Sequence, residues 1–372
     1  MKTILALIFT LCLGTQSLVA QTTSNNKVQL AILFDTSGSM DGLIEQAKVV
    51  IWQIVNAAGK LRSNGVTPKL EIALYDYGNT GISNADFVRL QTNLISNLDS
   101  ISQLLFALST NGGDEYCGSV IKHGINELAW SENPNDVKII YIAGNEPFNQ
   151  GSDNYIDVLK TAAEKNIIVN TIYCGPYEQG IQEFWYDASL ITQGNYFNID
   201  ANNEVAMIST PYDAQINATN ATMNSTFYSY NSSNEKFAAK IASEDAKAIS
   251  KGEAVLAERS VSKAGKNYEN AEEDLVDAYA QDSTIINRLK DEQLPEEMRN
   301  KSNEEKEAKV KEMQAEREKY KQEINELAKK REEYIAAEKA KRALETGEKD
   351  LGSSIIESMN SLAVKKGYTV EK

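Results

Sequence analysis

The sequence is poor in the residues that most often carry chemistry, with one His and three Cys among 372 residues. Imidazole acid–base catalysis would have to use His123, which sits in "SVIKHGINELAW", a helical pattern where a lone His serves packing or solvent. The same scarcity argues against zinc held by His and Cys. No P-loop and no G-x-G-x-x-G follows a strand pattern, and Ser37 and Ser39 have no basic neighbour in sequence, which argues against nucleotide binding and serine hydrolysis. Positive charge is short too. Lys and Arg total 38 against 53 Asp and Glu, a net charge of −15, so a basic surface for nucleic acid or anionic lipid is not expected. These absences favour a binding or structural protein over an enzyme.

Long apolar runs are also missing after the first twenty residues, so a mature chain is expected to be soluble, with no transmembrane segment. At the start, Lys2, the run "ILALIFTLCLG" and then "SLVAQ" follow the order of a secretory signal cleaved near Ala20. Export to the periplasm, the cell surface or the medium is therefore expected. Bulky Leu11 before Cys12 argues against a lipoprotein anchor. Export leaves Cys117 and Cys174, for which an oxidising compartment allows a disulfide; two separate buried thiols are the alternative.

What is present is an alternation. "VQLAILF", "KLEIALYDY", "DVKIIYIAG" and "NIIVNTIYC" read as buried strands, with "FVRL" and "GNYFNI" as shorter ones. Between them lie amphipathic helical patterns, among them "GLIEQAKVVIWQIVNAAG", "LDSISQLLFAL" and "NYIDVLKTAAEK". This predicts an α/β domain over residues 21–210, a doubly wound and mostly parallel sheet with helices on both faces. The Asn-, Ser- and Thr-rich segment 211–235 reads as a polar linker, and residues 236–372 as a charged helical region. Within that region Ser302 and Glu305 form a capping box opening a helix of roughly 65 Å that runs to a cap at Gly347. Met313, Tyr320, Leu327 and Tyr334 recur every seven residues along it, a thin stripe that fits either a weak coiled coil or docking face, or a solvated arm.

The first strand ends in "LFDTSGSMDG" (33–42). Asp35 supplies a carboxylate, and a loop curled at Gly38 can turn the hydroxyls of Ser37 and Ser39 to the same point. Strand carboxyl ends of a doubly wound sheet are where ligands collect. Three hard oxygens there suit Mg²⁺, Mn²⁺ or Ca²⁺ rather than zinc.

"DTSGSM" after an apolar strand and before a helix resembles the D-x-S-x-S motif of the von Willebrand factor A (VWA) domain and its metal-ion-dependent adhesion site. The resemblance covers residues 27 to 200 in element order and length. It implies two further ligands: a threonine from a second loop, where "STNGGDEYCGSV" carries Asp114, and an aspartate after the fourth strand, where "YIAGNEPF" carries Asn145. The metal set it implies here is Asp35, Ser37, Ser39 and Asp114, with Asn145 as a weaker or water-mediated ligand, for a divalent cation with Mg²⁺ the first choice. The implied function is metal-dependent binding of a protein partner through an acidic side chain. The alternatives are a metal-free scaffold whose helical arm assembles in the cell envelope, and a hydrolase using crevice carboxylates. "NAEEDLVDAY", "EQLPEEMRNKS" and "KQEINELAKKREEYI" resemble the helical tail of exported bacterial proteins that join a VWA domain to a charged helical region.

Overall fold

The structure is a computed structural model that describes residues 26–40, 52–199, 207–231, 236–346 and 351–371. The expected signal segment and the expected cap at Gly347 lie outside the described residues.

The apolar runs form a sheet, as runs long enough to bury both faces must. Its strands are β1 (Lys27–Asp35), β3 (Lys69–Tyr77), β4 (Val88–Ile95), β5 (Val137–Gly144), β6 (Ile168–Tyr173) and β7 (Tyr196–Asn198); β2 (Leu61–Arg62) and β8 (Thr369–Val370) pair separately. The order is β4-β3-β1-β5-β6-β7, with β4 antiparallel to β3 and the other pairings parallel. β1 is therefore interior, and its carboxyl end opens between β3 and β5. The helices are α1 (52–59), α2 (Leu98–Ala107), α3 (Cys117–Glu127), α4 (Tyr155–Glu164), α5 (Tyr177–Gln182), α6 (Trp185–Ile191), α7 (Asp213–Asn224), α8 (Lys236–Lys251), α9 (Glu253–Ala264), α10 (Leu275–Gln281), α11 (Asn303–Thr346) and α12 (Leu351–Lys365).

Alternate side chains of β1 enter two cores. Ala31 and Leu33 pack with Val120 and Ile121 of α3, Leu159 of α4 and Trp185 of α6. Val28, Leu30, Ile32 and Phe34 pack on the other face with Trp52 of α1 and Leu98 and Ile101 of α2. That second core continues into the helical region through Ile216, Met223, Ala257, Ile324, Leu327, Ile355 and Met359. Each such aliphatic side chain, fully buried, contributes roughly 1.5–3 kcal/mol. At the end of the chain, β8 pairs with β2 and Glu371 pairs with Arg62, which ties the last residues back to the sheet domain.

Three expectations change. The segment expected as linker holds helix α7, with Ile216 and Met223 buried and Asn220 and Asn224 each donating to Asp245 at 2.8 Å, so its polar side chains are bonded inside rather than solvated. Of the readings offered for the long helix α11, the docking face fits and the solvated arm does not. Val310, Met313, Ile324, Leu327 and Ala328 are buried, and the helix packs on α7, α9 and α10 of its own chain. Its capping box does form: Glu305 N–H donates to Ser302 Oγ at 3.2 Å and Ser302 N–H to Glu305 Oε2 at 2.8 Å. Finally, Cys117 and Cys174 are free buried thiols rather than a disulfide. They pack in the cores on opposite faces of the sheet, Cys117 beside Tyr77 and Cys174 beside Phe197 and Ile199.

Candidate metal centre

β1 carries Asp35 to full burial at the carboxyl edge of the sheet. The chain then turns sharply. Ser37 N–H donates to Asp35 Oδ1 at 2.7 Å, a short 3-10 turn spans Gly38–Met40, and buried Met40 pins the loop into the core. The hydroxyls of Ser37 and Ser39 lie 2.9 Å apart, and Ser39 donates to Asn145 Oδ1 at 2.9 Å. Asn145 directly follows β5, the neighbour of β1. The structure thus brings Asp35, Ser37, Ser39 and Asn145 together.

It does not bring Asp114 to the same place. Asp114 is exposed, and the next residue, Glu115, is buried against Asp35. The cause is local backbone geometry. Gly112 and Gly113 both have positive φ (38° and 155°), which swings the loop so that the second acid of "GGDEY" faces inward. Gly78 (φ 72°) makes room for it, since a Cβ there would lie 2.8 Å from Glu115 Cγ and 2.9 Å from Asp35 Oδ1. The loops are fixed to one another by main-chain bonds, Gly38 N–H to Gly112 O at 3.2 Å and Asn111 N–H to Thr36 O at 3.0 Å. Sequence reasoning missed Glu115 because spacing alone does not say which of two adjacent acids turns inward; the paired glycines were the available signal.

The electrostatics follow from this packing. Burial pushes the Asp35 carboxyl up to about 7 against the lowering effect of the Ser37 bonds, and Glu115 and Glu146 add to the rise. Burial likewise raises Glu115, with Glu146 and Asp114 reinforcing it and a bond from Ser37 opposing. None of these leading influences comes from a Lys or Arg. Asp35 Oδ2 is buried with no hydrogen-bond partner. An unsatisfied buried carboxylate oxygen is costly, and a cation relieves that cost directly. Asp35, Glu115, two serine hydroxyls and the Asn145 amide form a set of hard oxygens that fits Mg²⁺, Mn²⁺ or Ca²⁺. Among the described residues no group of three or more His, Cys, Asp or Glu is arranged to hold a metal, so hydroxyl and amide oxygens would have to share the coordination.

The thiols beneath the site are buried. Cys117 Sγ lies 3.6 Å from the Tyr77 hydroxyl, which donates to Ala143 O at 3.1 Å, and burial pushes both cysteine thiols well above their ordinary value. Gly113→Ala tests the loop geometry, because its Cβ would collide with the carbonyl oxygen of Gly78. The substitution is expected to cost about 1–3 kcal/mol, read as a lowered thermal midpoint; an unchanged midpoint would show that the loop tolerates another path.

Residues 29–210 match the model of the von Willebrand factor type A domain. No curated protein matches the chain. Among solved structures, the VWA domain of SpRpn10 is 17% identical over 47% of this chain and 88% of its own, with a TM-score of 0.37. The conserved hypothetical protein BatB from Bacteroides thetaiotaomicron is 17% identical over 46% of this chain and 90% of its own, with a TM-score of 0.35. Proximal thread matrix protein 1 from the mussel byssus, with a zinc-occupied MIDAS motif, is 14% identical over 48% of this chain and 43% of its own, with a TM-score of 0.38.

Proposed function

From the premise that residues 29–210 are a von Willebrand factor type A domain, we propose that the chain is an exported, divalent-cation-dependent protein-binding module. The observation that carries this reading is the buried, unpartnered Oδ2 of Asp35 beside Glu115, Ser37, Ser39 and Asn145. Asp35 and Glu115 would hold the ion by charge, and Ser37, Ser39 and Asn145 by neutral oxygens. Asp114, on the exposed side of the loop, is placed outside the set. A bound divalent cation supplies a Lewis-acidic position for a carboxylate oxygen of a protein partner. Glu146, half-buried at the rim, adds negative charge that favours the cation. The reading includes neither catalysis nor nucleic acid, and VWA domains are generally interaction modules. Among the described residues no helix is long and apolar enough to cross a membrane.

The test is thermal unfolding of the mature chain, stripped with chelator and titrated with Mg²⁺, Mn²⁺ or Ca²⁺. An ion at 100-fold its Kd adds about 2.7 kcal/mol, which at this length raises the midpoint by about 3–4 °C. Asp35→Ala is expected to abolish the rise. No rise with any of the three ions would overturn the reading.

A further inference from the structure

The far edge of the sheet carries a feature that the cation site does not use. Tyr177 of α5 and Tyr186 of α6 are 47% and 38% exposed, and both rings lie against Tyr196 of the edge strand β7. The Tyr177 and Tyr196 centroids are 5.1 Å apart at 52°, and the Tyr186 and Tyr196 centroids 6.0 Å apart at 87°. Two rings each inclined to the Tyr196 ring make a partial cage rather than a flat platform. The cage is built in. The Tyr196 hydroxyl donates to Tyr177 O at 2.8 Å, and Gly180 leaves the space beneath it, because a Cβ there would collide with the Tyr196 hydroxyl and crowd the Tyr173 ring.

Charge in the stretch of chain that builds the cage has one sign. The sequence contains no Lys or Arg between Lys165 and Lys236, while Glu178, Glu183 and Asp187 lie within the two helices and the turn that joins them. Glu178 and Glu183 are close enough to raise the Tyr196 hydroxyl, after burial and Tyr177. Among the described residues, none of the cation–π pairs involves these tyrosines. Exposed tyrosine faces beside two carboxylates and free of a basic neighbour from the same stretch of chain are complementary to a cation on another molecule.

We infer that Tyr177, Tyr186 and Tyr196 form a recognition site for a lysine or arginine side chain of a basic protein segment. A flat sugar ring would favour coplanar aromatic faces, which the 52° and 87° inclinations do not offer. The site does not depend on the cation reading, because none of its residues touches Asp35, Ser37 or Ser39.

The experiment is calorimetric titration of the mature chain in chelator with an acetylated hexa-arginine peptide, with hexa-glutamate and chitohexaose as comparisons. The hexa-arginine peptide is expected to bind and the other two are not. The Tyr177→Ala/Tyr186→Ala double variant keeps the net charge, so non-specific attraction to an acidic protein is unchanged in it. Two lost ring faces are expected to weaken peptide binding about tenfold. Tyr177→Phe/Tyr186→Phe, which keeps the ring faces, is expected to bind as wild type does. Equal binding by the wild type and the alanine variant would reduce the effect to bulk charge and overturn the inference. Binding of chitohexaose that is lost in the alanine variant, with the peptide unaffected, would overturn it in favour of a carbohydrate. No peptide binding at all would overturn it outright, and the metal titration would remain a separate result.

Discussion

Replacing Arg317 by alanine is expected to destabilise the folded chain by about 3–5 kcal/mol, the usual cost of removing one partner of a buried ion pair. Arg317 lies on α11 in a run of charges that reads as solvated, yet it is only 2% exposed. Its Nη1 meets Asp274 Oδ2 at 2.6 Å and Asp277 Oδ1 at 2.7 Å, its Nε donates to Thr226 Oγ1 at 3.1 Å, and its Nη2 donates to Thr226 O. The guanidinium carbon sits 4.0 Å from the centroid of Phe227. Asp274 is fully buried and also caps α10 by accepting from Asp277 N–H, so it cannot move out to water when Arg317 is removed. Burial pushes its carboxyl up while Arg317 pulls it down, and the alanine variant loses the second influence. At this length the loss corresponds to a midpoint lower by about 4–7 °C. Adding Asp274→Asn to the variant is expected to recover part of it, because an amide costs less to bury unpaired than a carboxylate. A single-variant loss under about 1 kcal/mol would mean that Asp274 finds water or another partner.

Arg317 also marks the limit of what the sequence discloses. Period-two and continuous apolar runs identify strands because a sheet buried on both faces leaves few polar positions, and β1, β3, β5 and β6 were legible on that ground. The helical region hid its core. α11 buries Lys306, Arg317 and Arg331, and these long side chains sit on the same face as Val310, Ile324 and Leu327. Arg331 pairs with Asp213 at 2.9 Å and Glu258 at 2.6 Å, so a face that reads as solvated is buried by charge pairing. A pattern based on hydrophobicity cannot register that arrangement. The polar stretch before it failed for the same reason, since Asn220 and Asn224 are satisfied by Asp245 inside the fold.

The site was legible where the chain itself sets the geometry. Asp35, Ser37 and Ser39 lie within one turn after a buried strand, so sequence spacing fixes their separation, and Asn145 follows the adjacent strand. Glu115 was not legible, because its direction depends on two positive-φ glycines and on the space left by Gly78 across the crevice. The thiols were misread because an oxidising compartment says only that a disulfide is allowed. Cys117 opens helix α3, which covers one face of the sheet, while Cys174 follows β6 and packs on the other face.

The second large effect is expected at Asp245, where the helical region is fastened to the sheet domain. Asp245 accepts from Arg259 Nε at 2.7 Å and from Lys263 Nζ at 3.1 Å, and Arg259 also reaches Asp99 of α2 at 2.7 Å. Burial favours the neutral form of Asp245, but Lys263 and Arg259 outweigh it and hold the carboxyl at about 2. Lys263 is fully buried, and desolvation lowers its ammonium to about 8 even with Asp245 opposing. The two groups therefore act in different pH windows. The contribution of Asp245 is present above the unfolded value of about 3.9 and is lost as pH falls through about 2, a loss of roughly 2–3 kcal/mol. For Lys263 the unfolded chain binds more protons between about pH 8 and its unfolded value of about 10.4, so stability gains from this group as pH rises through that window. Asp245→Ala removes the counter-charge and lowers Lys263 further. Its cost relative to wild type is expected to be about 3–5 kcal/mol near pH 6 and to shrink toward pH 10, where Lys263 is neutral in the folded state of both proteins. Urea unfolding of wild type and variant at pH 6, 8 and 10 checks this directly. A difference that stays constant across that range would assign the loss to the Arg259 pair, the Asn220 and Asn224 hydrogen bonds and the cavity, and remove Lys263 from the account.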